Sequence, residues 1–318
     1  MRKPDELEII KIFQNRFGRK SSFVANDLEF LKMSGVDFVV KSDMLVQSTD
    51  VPPDMKLRDI SRKSIVLCVS DFACKGIRPR YATVSLALPR GITKQQVNEL
   101  AHGFANASKE FGIKIIGGDI NEGKEIVIDV SMFGIGDKIV NRSGAKNGDI
   151  IITSGPFGYT SSGLEMILHG LTTEINFTKK CRKSFFKPTP RLEFGLKAAK
   201  YFSSSMDSSD GLSISLNDMC TQSGKRFVIT RLPVGNDIVE FARKNKISLI
   251  DLVFCGGEEY EIVATISQRN LGLVRKLARK FEIPYFEIGY VTSGKNVVLV
   301  DNEKERIIKR CGWVHLKS

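Results

Sequence analysis

A two-domain mixed α/β fold follows from three features of the 318-residue sequence. Strand-like apolar runs alternate with helical stretches along the chain, and the length suits two domains of about 100 to 200 residues each. A polar, turn-rich segment, Arg142-Ser143-Gly144-Ala145-Lys146-Asn147-Gly148-Asp149, lies between two strand-like runs near the middle. The boundary is placed ahead of it, giving residues 1–138 and 139–318. The alternation argues for α+β or α/β layers against an all-α or all-β chain. A hydrophobic fraction of 42% with 26% charged residues argues against disorder.

Leu7, Ile10, Phe13 and Phe17 recur at helical spacing and Gly18 supplies a stop, so the chain opens on a short amphipathic helix. Phe38-Val39-Val40 and Tyr81 to Pro89 read as strands, and Leu57 to Val69, mixing basic and apolar positions, reads as a helix before Asp71. Thr93 caps a helix whose stripe is Val97, Leu100, Phe104 and Phe111, and Gly112 ends it. Glu125 to Met132 alternates with period two, as a half-buried strand does. Beyond the boundary, Ile150 to Thr153 feeds the turn Gly155-Pro156-Phe157-Gly158 and a Ser- and Gly-rich helical stretch. Strand signals return at 226–230 and 260–265, with helices at 236–245 and 268–281.

The formal charge of +12 favours anionic partners: nucleotides, phosphorylated metabolites or nucleic acid. The basic stretch from Lys179 to Lys200 matches no zinc-finger or RNA-recognition pattern and reads as a solvated face, so no nucleic-acid partner is expected. Six cysteines without Cys-x-x-Cys spacing, three of them among apolar neighbours, read as buried reduced thiols and hence a cytoplasmic compartment. No stretch reaches about 18 apolar residues, and the charged amino terminus lacks a signal-peptide core, so neither a membrane span nor an export signal is expected.

Six aspartates carry the functional argument: Asp27, Asp43, Asp71, Asp119, Asp207 and Asp210. Three β-branched stretches, ending at Asp43, Asp71 and Asp119, read as strands that each deliver a carboxylate at their end. Gathered carboxylates repel one another unless cations hold them, and hard cations around a polyphosphate are the usual reason for such a collection. Gly155 to Gly163 lacks the Gly-Lys-Ser/Thr of a Walker loop and is balanced between a tight turn and a phosphate contact at a helix start. An N-cap accounts for one of Asp207 and Asp210 but not both. His102, His169 and His315 are isolated and read as structural.

Read in order, Ser42-Asp43-Met44-Leu45-Val46, Val69-Ser70-Asp71-Phe72-Ala73-Cys74-Lys75-Gly76, Gly117-Gly118-Asp119, Arg142 to Lys146, Asp207-Ser208-Ser209-Asp210-Gly211, Cys255 to Glu261 and Gly312-Trp313-Val314-His315 resemble the thiamine-monophosphate kinase family. That family belongs to a superfamily with aminoimidazole ribonucleotide synthetase, selenophosphate synthetase and a hydrogenase maturation protein. The resemblance implies an α+β amino-terminal domain that pairs across a homodimer to close a barrel, an α/β carboxy-terminal domain, and ATP at the subunit interface. It also implies Mg²⁺-dependent phosphoryl transfer from ATP to thiamine monophosphate. By the same resemblance the magnesium ligands are Asp27, Ser42, Asp43, Asp71, Asp119, Asp207 and Asp210. Gly118, Asp119, Arg142 and Ser209 meet ATP, Asp50, Glu258 and Trp313 meet the thiamine substrate, and Asp71, Asp119 and Arg142 are the catalytic set.

The sequence departs from the family pattern in three places. Ala25-Asn26-Asp27 replaces Gly-Asp-Asp, Lys41 stands near Asp43 where a small hydroxyl residue is usual, and Glu259 replaces an Asp. The acceptor's phosphate, with a second pKa near ~6, is already ionised at neutral pH and needs no base to deprotonate it. The rival readings are an aminoimidazole ribonucleotide synthetase-like enzyme and an impaired nucleotide or thiamine-phosphate binder.

Overall fold

The computed structural model describes residues 3–16, 26–136, 139–302 and 304–316. The opening helix, α1, spans Glu6–Arg16; Phe17, Gly18 and Ala25 lie outside the described residues. Strands β1 (Glu29–Met33) and β2 (Val36–Val46) form a hairpin, and a single turn, α2 (Gln47–Asp50), leads to the long helix α3 (Leu57–Lys75). Next come β3 (Pro79–Pro89), α4 (Lys94–Phe111), β4 (Lys114–Gly123) and β5 (Val127–Ile135). The strands form a five-stranded sheet ordered β1-β2-β5-β3-β4. α4 begins where its residues dictate: the Thr93 side chain accepts the Gln96 N–H while Gln96 reaches back to the Thr93 N–H, and Gly112 closes it in the left-handed region.

A second sheet is built from β6 (Ile150–Thr153), β7 (Phe202–Ser208), β8 (Arg226–Ile229), β9 (Glu261–Ile266), β10 (Phe286–Thr292), β11 (Val297–Asp301) and β12 (Lys304–Ile307), ordered β12-β11-β8-β10-β6-β9-β7. Helices α5 (Tyr159–His169), α6 (Ile175–Phe186), α7 (Leu192–Ala198), α8 (Leu212–Ser223), α9 (Asn236–Asn245), α10 (Leu249–Phe254) and α11 (Gln268–Lys280) connect these strands. On α6, Lys179, Lys180, Arg182 and Lys183 are exposed and Cys181 buried, the solvated face its composition predicts.

Helix α3 explains why one stretch reads two ways in the sequence. It packs on β2 and β5 of the first sheet and on β7 and β9 of the second, so Ile65, Val66, Cys68, Val69 and Phe72 are all buried. A helix covered on every side is apolar all round and its run imitates a strand. Asp71 therefore sits inside a helix, one turn before the Gly76 cap, and not at a strand end. Asp43 and Asp119 lie within β2 and β4, with residues of each strand following them. The core that α3 organises joins the sheets through Val39, Ile128, Ile152 and Ile262, each such side chain contributing about 1.5–3 kcal/mol on burial.

Two further expectations are corrected. Cys255 and Cys311 are disulfide-bonded, whereas Cys68, Cys74, Cys181 and Cys220 are the free, buried thiols the composition suggests. The two partners are 56 residues apart, so no local Cys spacing marks them. Helix α8 starts at Gly211 with no side-chain cap, so neither Asp207 nor Asp210 is an N-cap. No helix among the described residues is long and apolar enough to cross a membrane.

Candidate active site

The acidic residues gather where α3 passes between the sheets. Asp71 projects from α3 toward β2, where Lys41 Nζ lies 2.8 Å from its carboxylate and 3.2 Å from that of Asp43. Asp207, at the end of β7, accepts a 2.8 Å bond from Ser70 Oγ. Asp27 receives Arg142 at Oδ1, at 2.6 and 3.1 Å from Nη2 and Nε, and Lys75 at Oδ2, 2.6 Å away. Lys75 Nζ also donates to Ser205 O at 2.5 Å. Oxygens of Asp27 and Asp207 and the sulfur of Cys74 fall within 4.8 Å of one another. Burial, followed by the nearby Asp27 carboxylate, holds the Cys74 thiol well above its ordinary range, so it stays protonated and is no ligand for a hard cation.

The electrostatics divide these acids into two kinds. Burial works against the Asp27 charge, but Lys75 and Arg142 outweigh it and hold the group far below the carboxylate range. Asp71 goes up: burial, with Asp207, Asp43 and Asp27 behind it, outweighs Lys41. Asp207 is raised by burial and then by Asp27. Asp210 is pushed up to about 6 by desolvation and then by Asp207. Burial opposes the Lys41 charge, yet Asp71 and Asp43 hold it well above its ordinary value. Burial and like charge thus disfavour the ionised forms of Asp71, Asp207 and Asp210, whereas Lys75 and Arg142 hold Asp27 ionised.

A second group adjoins the first. Lys63, fully buried on α3, donates to Asp50 O at 2.7 Å and lies 2.5 Å from Glu258 Oε1. Glu258 has φ +65° and its N–H donates to Ser209 O, so the Gly256–Glu258 turn interlocks with the 207–211 loop. The carboxy-terminal segment closes on the same loop: Trp313 N donates to Asp210 O at 3.0 Å, and a Cβ on Gly312 would lie 2.1 Å from that oxygen. The disulfide joins Cys255, ahead of the first turn, to Cys311, ahead of Gly312. Asp50, Glu258, Ser209 and Trp313 thus belong to neighbouring segments.

Two of the anticipated metal ligands are elsewhere. In the β2–β5–β3–β4 ladders, Asp43 aligns with Val130, Val84 and Gly118 on the face toward α3. Ser42 and Asp119 lie in the rows Ser42–Ser131–Thr83 and Asp129–Ser85–Asp119, on the other face, because alternate residues point oppositely. Three strand spacings, roughly 14 Å, separate β4 from β2. Ser42 Oγ instead donates to Asp129 Oδ1 at 2.9 Å, and Asp119 is exposed. Gly118 has a packing reason of its own, since a Cβ there would meet Val84 O at 1.8 Å.

The Gly155 to Gly163 turn is also resolved. The N–H groups of Gly158 and Thr160, which start α5, donate to Glu259 Oε1 at 2.7 and 3.3 Å. An internal carboxylate takes the place a phosphate would have there. Sequence reasoning missed Lys63 and Lys75, both fully buried. Lys63 stands among Asp59, Ser61, Arg62 and Ser64 and Lys75 ends the helix, so neither carried a local sign of burial.

Sheet order, the central buried helix and the acids at its end together define a protein of the AIR synthase-related class. Residues 26–136 match the family described as AIR synthase related protein, N-terminal domain. The chain is 48% identical to the thiamine-monophosphate kinase of Nitrosopumilus maritimus (strain SCM1), covering 100% of both chains. It is 33% identical to that of Pyrococcus abyssi (strain GE5 / Orsay), over 98% of this chain and 96% of the relative. A solved structure described as AaThiL complexed with AMPPCP and TMP superposes with a TM-score of 0.86 at 25% identity, covering 99% of each chain. The chain belongs to the thiamine-monophosphate kinase family.

Proposed function

We propose that the chain transfers the γ-phosphoryl group of ATP to the phosphate of thiamine monophosphate, giving thiamine diphosphate and ADP. The observation that carries this reading is the meeting of Asp43, Asp71 and Asp207 beside α3, in a chain similar over its full length to thiamine-monophosphate kinases. The solved relative bound to AMPPCP and TMP, an ATP analogue with a phosphate-bearing acceptor, supports the same pair of substrates here.

Donor and acceptor are both polyanions, so catalysis rests on positioning and charge compensation and needs no general base. Asp43, Asp71, Asp207 and Asp210 would hold magnesium through hard carboxylate oxygens, and burial with neighbouring carboxylates raises the pKa of three of them. Held by these residues, magnesium would supply neutralisation of phosphate charge. Lys41 spans Asp43 and Asp71 and can yield those oxygens or stay as a fixed positive charge facing the phosphates. Glu258, held by Lys63, presents a carboxylate suited to the cationic thiazolium, and Trp313, 53% exposed, offers an aromatic face.

The enzyme works as a homodimer in this reading. The first sheet is covered by α3 on one face only. Its other face exposes Leu31, Met44, Tyr81 and Ile135, an apolar set that a second sheet would bury. Asp119, on that open face, would reach phosphate chemistry across the dimer and not within its own chain. The test is a coupled assay with purified chain, ATP, Mg²⁺ and thiamine monophosphate. ADP release dependent on thiamine monophosphate, with thiamine diphosphate as product, is expected; ATP turnover that ignores thiamine monophosphate, or answers to a different acceptor, would sink the reading.

A further inference from the structure

Asp27 does not fit the role of magnesium ligand that its place in the motif suggests. Arg142 hydrogen-bonds Oδ1, and Lys75 Nζ lies 2.6 Å from Oδ2 as an ion pair, without hydrogen-bond geometry at that oxygen. The side chains of Asp27 and Lys75 are each 0% exposed, so solvent does not touch that contact. Lys75 is also anchored from the opposite side by Ser205 O, and Ser205 Oγ donates in turn to Cys74 O, which fixes the end of α3 to β7.

We propose that Lys75 is a resident cation that takes the place of a divalent ion at Asp27, so that this chain assembles its phosphate site with one fewer bound metal than its carboxylates could hold. The inference rests on the magnesium-dependent reading above. It separates Lys75 from Lys41, which is 24% exposed and spans Asp43, itself 27% exposed, and Asp71. The Lys41–Asp43 pair opens toward solvent, so an entering cation can displace it, while the Asp71 side chain beside it is 6% exposed. The Lys75 pair is enclosed and cannot be displaced without moving α3 or β7. One ammonium carries half the charge of a divalent ion, and Arg142 supplies the remainder from the other side of the carboxylate. The departure at Asn26 belongs with this arrangement. Asn26 Nδ2 donates to Asn141 Oδ1 at 3.3 Å, tying the segment beside Arg142 in place with a neutral amide and adding no further negative charge for an ion to balance.

The experiment counts bound Mn²⁺, as a paramagnetic substitute for Mg²⁺, by titrating the full chain saturated with a non-hydrolysable ATP analogue. Wild type, Asp27→Asn, Lys75→Met and the Asp27→Asn/Lys75→Met double variant are compared, with thermal melts in the presence and absence of Mn²⁺. Asp27→Asn is expected to bind the wild-type number of ions. Lys75→Met is expected to gain one ion per chain, and its melting temperature to become dependent on Mn²⁺. Should Asp27→Asn not fold because Lys75 is left buried, the double variant, which removes both charges, reads the same count. One ion fewer in either Asn variant overturns the proposal, as does a Lys75→Met protein with an unchanged count and a melt indifferent to Mn²⁺. Thiamine diphosphate formation by the wild type is measured on the same preparation. If it is absent while the ion counts follow the expected pattern, the functional reading fails and the Lys75 assignment stands.

Discussion

Two lysine–aspartate contacts lie near one another along α3, and they have opposite characters. The contact between Asp27 and Lys75 is sealed, doubly paired through Arg142, and electrostatically satisfied. The contact of Asp43 and Asp71 with Lys41 is partly open, and burial and neighbouring carboxylates leave Asp71 with a raised pKa. The same residue types serve structure in one place and chemistry in the other, and access to solvent together with charge balance decides which. Breaking a sealed pair leaves an uncompensated buried charge, at a cost of about 3–5 kcal/mol. Altering the open pair costs the fold little and changes what the site can bind.

Substitutions on the open side are expected to have the largest effect on turnover. Asp207→Asn, which keeps an acceptor for Ser70 but removes a charge, is expected to lower kcat by about 10²-fold or more, with the melting temperature nearly unchanged. A kcat within a few-fold of wild type would place Asp207 with the structural acids. Lys63→Met is next. Through Glu258 it is expected to raise the KM for thiamine monophosphate by roughly tenfold, the worth of about 1.4 kcal/mol of lost ion pairing, and to leave the KM for ATP alone. Equal changes in both constants would mean that Lys63 only supports the core.

Lys41→Thr sharpens the contrast by removing the cation of the open pair. With Asp43 and Asp71 freed, half-saturation by Mg²⁺ should fall several-fold, read from the magnesium dependence of initial rate; a rise would show that Lys41 cooperates with the metal. The smallest effect concerns Glu259, another buried acid, which accepts the backbone N–H groups of Gly158 and Thr160. Burial raises it from 4.5 to about 7, against the opposing bonds from Thr160 and Gly158. Between those two values the folded chain keeps a proton that the unfolded chain has released, so this group's contribution to stability falls as pH rises through that interval and levels off above about 7. Glu259→Gln should flatten that part of the stability curve in denaturant titrations at several pH values, and an unchanged slope would remove Glu259 as its source.

The sequence made much of this architecture legible. The Thr93 to Gly112 helix, the alternating strand before Met132, and the strands at 150–153, 226–229 and 261–266 follow from caps and periodicity, which are local properties. The state of Asp71 was less clear, because a helix enclosed by two sheets loses the polar stripe that marks it as helical. The candidate acids could be named from their motifs, but not sorted. Asp43 and Ser42 are adjacent in the chain and face opposite sides of a sheet, and that separation comes from register. The pairing of Asp27 with Lys75 and Arg142 joins three distant positions and has no local signal, and the same holds for Cys255 with Cys311.

The central claim is that Asp43, Asp71 and Asp207 perform the phosphate chemistry while the sealed triad holds the fold. It is tested most directly by measuring kcat and melting temperature together for Asp71→Asn and Asp27→Asn. Asp71→Asn is expected to lose turnover by about 10³-fold and melt within a few degrees of wild type, and Asp27→Asn to melt far lower while its folded fraction still turns over. An Asp71→Asn enzyme with near-normal turnover, or an Asp27→Asn protein that is fully stable and inactive, would contradict the account.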